Sequence, residues 1–346
     1  MKCFSMFSGI GGFDLALKNL GHEIVGACEI DKYARQIYEN HFLSVPVYHD
    51  ATKLQPESLP QFDLLCGGFP CQAFSVAGKR LGFNDSRGTL FFEIARIAKE
   101  KRPRYLFLEN VRGLLFHDKG QTMRTIIGIL DELGYDAEWQ VINSKYFVPQ
   151  NRERVFIIGH LRGERTRQVF PLGEINSVSE KKKAREQGKR SGIRSQDYSS
   201  TIDARYGALR NSGETYLMYL SQTNSNMKQR IQQRDTTWTL TNNCSDFGII
   251  ENKMKVLHQS KSQAKRIYDP EGLSQTLSAN GGGQGAKTGL YNINSRVRRL
   301  TPLECERLQG FPDGYTKGIS DTQRYKCLGN AVTVPVVQYI AKELKI

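Results

Sequence analysis

The chain has 346 residues, 39% of them hydrophobic, which is enough for one large domain or two ordinary ones and excludes disorder over the whole length. No apolar run approaches the ~18 residues that cross a bilayer, and the opening MKCFSMFSGIGG is too short before its glycines to be a secretory signal. A cytoplasmic protein with no membrane partner is expected. The formal net charge is +14, of which +12 falls between Arg162 and Arg299. Such a concentrated basic segment fits a polyanion partner; the blander reading is a solvated basic surface.

In chain order, residues 2–7 predict a short strand, and 14–20 has helical spacing after a glycine turn. Residues 23–29 read as a strand and 32–41 as a helix. The buried run 62–66 is a strand. Residues 87–100 carry Leu90, Ile94, Ile97 and Ala98 on one helix face. A strand at 105–109 and a helix at 123–133 follow, then strands at 137–143 and 155–160. This alternation predicts an α/β fold with a doubly wound, mostly parallel sheet.

The pattern breaks after His160. Residues 180–194 (EKKKAREQGKRSGIR) read as an exposed linker or loop. Residues 199–290 are rich in Thr, Ser, Asn and Gly, and carry a weak echo: TIDAR from Thr201, TLTNN from Thr239 and TLSAN from Thr276, 38 and 37 residues apart. Each copy alternates as a half-buried strand does, although chance competes in so Thr/Ser-rich a stretch. Residues 302–308 and 332–344 again look helical.

Seven cysteines, at positions 3, 28, 66, 71, 244, 305 and 327, include no CxxC pair, and no histidine cluster completes a metal site. No metal is expected. Cys3, Cys28 and Cys66 lie in apolar strand-like runs and read as ordinary buried thiols. Cys71 stands in the glycine-rich stretch GGFPCQAFSVAGKR, behind a proline and a strand. Lys79, Arg80 and Arg87 follow it, and nearby positive charge favours the thiolate.

Between the first strand and helix lies Phe7-Ser-Gly-Ile-Gly-Gly-Phe13, whose glycines allow a sharp turn and close approach to a ligand. Glu29, 20 residues after Gly9, suits ribose hydroxyls, and Asp50 can accept a hydrogen bond from an adenine amine. The spacing is GxGG, so a dinucleotide and S-adenosyl-L-methionine both remain open; a tight turn with two exposed carboxylates is the bland alternative. At other strand ends stand Glu109-Asn-Val111 and Gln150-Asn-Arg-Glu-Arg154. A nucleophile, a carboxyl group and an arginine pair therefore converge on one sheet edge.

With those groups in place, the sequence resembles bacterial DNA (cytosine-5)-methyltransferases of the restriction–modification type. FSGIGGF, PCQAFS, ENV, QNRER, RRLTPLECERLQGFP and GNAV occur in that family's order and cover nearly the whole chain outside roughly residues 165–260. The stretches GFPCQAFSVAGKRLGFNDSRGTLFFEIARI and LSQTLSANGGGQGAKTGLY are especially similar to short members that methylate a GC-containing tetranucleotide. The resemblance implies a methyltransferase α/β domain at 1–165 and 301–346, and an inserted, smaller, mostly β or irregular target-recognition domain at 166–300.

The resemblance also implies roles. Cys71 is the nucleophile toward cytosine C6; Glu109 contacts N3 and the exocyclic amine; Arg154, with Arg152, holds the O2 side. S-adenosyl-L-methionine is the cofactor, and S-adenosyl-L-homocysteine the product. Its pocket is implied to take Phe7, Ser8, Gly9, Ile10, Gly11 and Gly12 from the first turn, and Glu29, Ile30, Asp50 and Ala51 from the next two strand ends. Gly68, Pro70, Leu90, Asn330, Ala331 and Val332 complete it. Double-stranded DNA is implied to meet Gln72, Ser75 and Arg87 in a closing loop, Gln263 as the residue that fills the gap left by a flipped base, and Arg266, Thr276, Gly282 and Gly283. A monomer, paired in function with a restriction endonuclease, is expected. Three rivals stand against this reading. A tRNA cytosine-5 methyltransferase of the same fold lacks so large a basic segment. An NAD-dependent dehydrogenase fits neither GxGG nor the PCQ, ENV and QxRxR set. A catalytically silent DNA-binding protein has no reason to keep Cys71, Glu109 and Arg154 together.

Overall fold

A strand whose two faces are both covered is mostly apolar on successive residues, and Cys3 to Met6 are all buried, Ser5 being the one polar residue among them. The computed structural model describes residues 1–70, 90–172, 215–219, 230–233, 254–260, 265–278, 289–293 and 296–344. It begins with β1 (Lys2–Met6), α1 (Gly12–Asn19), β2 (Glu23–Cys28), α2 (Lys32–His41), β3 (Val47–Tyr48) and β4 (Leu64–Gly68). There follow α3 (Leu90–Lys101), β5 (Tyr105–Val111), α4 (Gln121–Glu132), β6 (Tyr135–Asn143), β7 (Gln150–Asn151) and β8 (Glu153–Leu161). Next come β9 (Thr215–Tyr219), β10 (Arg230–Gln233), β11 (Val256–His258), β12 (Ile267–Tyr268), β13 (Ser274–Gln275), β14 (Leu290–Ile293) and β15 (Arg296–Arg298). The chain closes with α5 (Pro302–Gln309), α6 (Asp321–Asn330) and α7 (Val334–Ala341).

The main sheet has the order β10-β9-β6-β8-β5-β4-β1-β2-β3. From β3 to β5 every neighbouring pair is parallel; from β5 through β8, β6 and β9 to β10 every pair is antiparallel. The expected doubly wound half is therefore present and is extended by an antiparallel half. The reason is connection length: β6 and β8 are joined by a short link with only a single 3-10 turn at Ser144–Tyr146, too short to carry the chain back for parallel pairing. Side chains alternate between two cores. Cys3, Cys66, Phe107 and Ile158 pack with α1, α5 and α7 on one face, while Phe4, Leu65, Leu106 and Ile157 pack with α3 and α4 on the other.

Residues after β8 stay on the sheet. Val169 and Phe170 are buried, and their backbone N–H groups donate to Glu138 on β6 at 2.7 and 3.0 Å. A four-stranded sheet, β11-β12-β14-β15, and the pair β13-β7 complete the described strands. Of the three echo segments, 201–205 and 239–243 lie outside the described residues. The third does not form a strand at 276–278; pairing occurs just before it, at Ser274–Gln275. Among the described residues no helix is long and apolar enough to cross a membrane.

Candidate active site

The parallel strands β1, β2, β4 and β5 are neighbours in the sheet, and the turn after β1 holds three residues at positive φ. Phe7, Gly9 and Gly11 all have positive φ (54°, 57° and 83°). For Phe7 that is a costly conformation, held by its surroundings, and such outliers concentrate at functional sites. Ser8 N–H donates to Cys28 O at 3.0 Å, and Gly9 N–H donates to Glu29 Oε2 at 2.8 Å. Glu29 Oε1 accepts from Asp31 N–H at 2.8 Å, so the carboxylate links the two turns. Burial pushes Glu29 above the ordinary glutamate value, against the lowering effect of those N–H donors. A Cβ on Gly11 would lie 2.5 Å from the Phe42 ring, and one on Gly12 would lie 2.7 Å from Val332 Cγ2. These glycines let α2 and the turn after α6 close directly onto the loop.

The other expected cofactor residues occupy the same edge. Ile30 is 71% exposed beside Glu29, an unusual place for a large apolar side chain unless a ligand covers it. Asp50 caps the short turn 51–53: its Oδ1 accepts from Thr52 N–H at 3.0 Å and from Thr52 Oγ1 at 2.7 Å. Those bonds hold its carboxyl below the usual aspartate range. Ala51 is buried behind it, Gly68 ends β4, Pro70 is exposed and Leu90 opens α3. Asn330 is exposed at the end of α6, with Ala331 and Val332 buried beneath. Ser8 Oγ is buried with no hydrogen-bond partner among the described residues, and no side chain caps α1. An orphaned hydroxyl, an uncapped helix start and a carboxylate at the second strand end fit a nucleoside ligand with polar groups at its far end.

The expected base-contacting residues Glu109 and Arg154 lie on β5 and β8. Glu109 pairs with Gly68 in the β4–β5 register, and a Cβ on Gly68 would fall 2.9 Å from Glu109 Oε2. Glycine leaves the space that the carboxyl group occupies. Arg154 lies diagonally across on β8, its Nε 3.0 Å from Glu109 Oε1. Burial pushes Glu109 above the usual value; the Arg154 and Arg152 charges pull it back. Asn110 points elsewhere: its Nδ2 donates to Phe69 O at 2.8 Å. It thus anchors the chain two residues before Cys71, a task that the ENV tripeptide alone did not reveal. Cys71, Gln72, Ser75, Arg87, Gln263, Gly282 and Gly283 lie outside the described residues.

Arg152 has other partners than Arg154 does. Its side chain is 2% exposed and donates to the carbonyls of Leu277, Gly329 and Ala331. Both terminal nitrogens of the arginine expected to help Arg154 hold a base are committed here to carbonyl oxygens. Arg266 Nε donates to Ser260 O at 2.8 Å, and Thr276 Oγ1 donates to Asn151 O. The five described cysteines, Cys3, Cys28, Cys66, Cys305 and Cys327, are buried free thiols. Burial pushes Cys3, Cys28, Cys305 and Cys327 up to about 12, where a thiol is unreactive.

Two residues with no recognisable motif support the glycine turn. Tyr315 Oη donates to Ile10 O at 2.9 Å, and its ring stacks on His41 at 3.7 Å. Tyr38, beneath Gly11, donates to Asp14 Oδ1 at 2.8 Å.

The C-5 cytosine-specific DNA methylase family profile matches residues 1–346. The chain is similar to the Type II methyltransferase M.HhaI of Haemophilus parahaemolyticus, 37% identical over 345 residues, covering 99% of this chain and 93% of that one. It is also similar to the Type II methyltransferase M.HpaII of Haemophilus parainfluenzae, 36% identical over 366 residues, covering 98% and 87%. Among solved structures, a Spodoptera frugiperda DNMT2 variant matches with a TM-score of 0.62 at 18% identity, covering 99% of this chain and 98% of its own. The S. pombe Dnmt2 methyltransferase matches at 0.58 and 16%, covering 99% and 97%. At those identities the structural likeness concerns the fold.

Proposed function

The chain belongs to the C-5 cytosine-specific DNA methylase family and is a DNA cytosine-5 methyltransferase that uses S-adenosyl-L-methionine; we propose that Cys71, Glu109 and Arg154 carry out the reaction on a cytosine flipped out of duplex DNA. The observation that carries this reading is the Glu109–Arg154 pair, a buried carboxyl group bound to a guanidinium beside the strand that leads to Cys71.

Cytosine C5 is a weak nucleophile. Addition of the Cys71 thiolate to C6 places an electron pair on C5, provided that charge reaching N3 and O2 is met. Glu109, pushed up by burial, is suited to carry a proton and share it with N3 while it accepts from the exocyclic amine. Arg154 faces the O2 side and holds the Glu109 carboxyl group in place. The cofactor, when bound, supplies an electrophilic methyl group to C5. Ser8, Gly9, Glu29 and the 330–332 turn would hold it, with Ile30 and Asp50, whose Oδ2 lies 3.7 Å from Lys53 Nζ, on the adenosine side. Loss of the C5 proton then restores the double bond as the cysteine leaves. The target carbon is hidden inside a stacked duplex, so base flipping is required, at a cost of a few kcal/mol. The basic segment 162–299 contributes phosphate contacts that offset it.

Residues 1–165 and 301–346 form the catalytic part in this reading, and 166–300 the recognition part. The enzyme acts as a monomer in the cytoplasm, and protects DNA from a cognate restriction endonuclease. Its similarity to Type II methyltransferases supports that last role. The experiment is transfer of label from S-adenosyl-L-methionine to duplex DNA. Cys71→Ser should abolish transfer and leave cofactor binding intact; surviving transfer would remove Cys71 from the mechanism.

A further inference from the structure

Arg152 and Arg154 are two residues apart, yet Arg152 turns into the interior. Its Nη1 donates to Leu277 O at 3.3 Å and to Gly329 O at 3.2 Å. Its Nη2 donates to Gly329 O at 3.2 Å and to Ala331 O at 2.7 Å. One rigid, planar cation thus joins two segments distant in sequence. Burial pushes Arg152 down to about 9, which still leaves it charged at neutral pH.

The Leu277 side belongs to the basic recognition segment. Strand β13 pairs in parallel with β7 immediately before Arg152. Thr276 Oγ1 donates to Asn151 O, and Gln150 Oε1 accepts from Leu277 N–H at 3.4 Å. The Gly329–Ala331 side belongs to the turn whose Val332 lies against Gly12. Gln309 Nε2 also donates to Leu328 O and Ala331 O, at 2.8 and 3.3 Å. A buried guanidinium strongly resists losing a carbonyl partner, because no water replaces it. Neither segment can shift without straining the hold on the other.

We propose that Arg152 is a positioning residue that couples the recognition strand around Thr276 to the cofactor turn around Asn330, so that filling the cofactor pocket fixes the recognition strand. This rests on the reading that residues 330–332 form part of the cofactor cradle. Linkage makes the coupling reciprocal: loosening the recognition strand weakens cofactor binding.

The test uses the full chain and S-adenosyl-L-homocysteine, which binds without turnover. Saturating ligand should slow amide hydrogen exchange at residues 274–277 by about ten-fold in the unaltered protein, a mid-range coupling. Arg152→Lys, which keeps the charge but cannot bridge three carbonyls, should lose that slowing while it still binds ligand. A purely structural arginine would leave the ligand-dependent difference intact, and an unchanged difference in Arg152→Lys overturns the proposal. Should that variant fail to fold, Thr276→Val approaches from the other side. It touches no cofactor residue, yet should weaken S-adenosyl-L-homocysteine binding by about five-fold. Unchanged affinity there overturns the coupling too. Absence of ligand binding by the unaltered protein would instead sink the cofactor cradle, and the coupling with it.

Discussion

Two buried carboxylates, Glu109 at the end of β5 and Asp14 under the glycine turn, differ in what surrounds them. Burial pushes both upward. Glu109 has Arg154 at 3.0 Å, stands beside a glycine that leaves it room, and borders the strand that leads to Cys71. Asp14 has no exposure, accepts one hydrogen bond from Tyr38, and leaves Oδ2 without a partner among the described residues. A raised pKa alone therefore does not mark chemistry. Glu109 differs from Asp14 in its cationic neighbour, on which its proposed role rests.

The largest separation between the two comes from Glu109→Gln. The amide cannot pass a proton to N3, so kcat for methyl transfer should fall by about 10²–10⁴-fold, while S-adenosyl-L-homocysteine affinity by calorimetry stays the same. Near-normal turnover would reduce Glu109 to a structural partner of Arg154.

Asp14→Asn should do the opposite, sparing transfer and changing stability with pH. Asp14 is raised from 3.8 to about 6, so between those values the folded chain keeps a proton that the unfolded chain has released. Its contribution is full below the lower value and is lost as pH rises through the upper one, by up to ~3 kcal/mol. Chemical denaturation at several pH values reads this directly. The stability of Asp14→Asn relative to the unaltered protein should climb between pH 4 and 6 and then level off. A flat difference would mean that Asp14 is ionised throughout.

The same contrast explains what could be read before any coordinates. Helix α2 was legible to the residue, because an Asp31 cap and three buried apolar positions mark it. Glu109, Arg154 and the glycine turn stand out as candidates because each sits in a short motif at a strand end. Helix α6 was not: DTQRYKCLGN buries only Cys327, Leu328 and Gly329, all in its last turn, so it has no apolar face to read. The carbonyl partners of Arg152 could not be read from the QNRER motif, through which the resemblance pairs it with Arg154. The three carbonyls that claim it come from parts of the chain no local pattern connects. Tyr38, Tyr315 and Asp14 act through contacts with distant residues and carry no motif.

Gly68→Ala asks whether the room around Glu109 matters. The added Cβ, 2.9 Å from Oε2, must displace the carboxyl group from its place beside Arg154. A displacement of even part of an ångström should lower kcat by about ten- to a hundred-fold, with a smaller change in ligand affinity. Unaltered kcat would show that the carboxyl group relocates freely and that its pairing with Arg154 is incidental.

Tyr38→Phe is the mildest change and tests the Asp14 side alone. The ring stays, so its stacking on Phe42, 4.5 Å away, and its support of Gly11 are kept. Only the hydroxyl donor to Asp14 is lost. At pH 5 Asp14 is mostly protonated, and the loss is that of a neutral hydrogen bond, about 1 kcal/mol; at pH 8 it is an anion deprived of its donor, and the loss should reach about 2 kcal/mol. The sign of that pH dependence matters more than its size. A loss that grows from pH 5 to pH 8 makes Tyr38 the group that lets a fully buried carboxylate ionise beneath the cofactor loop. An equal loss at both values would assign the stabilisation to packing of the tyrosine rather than to its hydroxyl group.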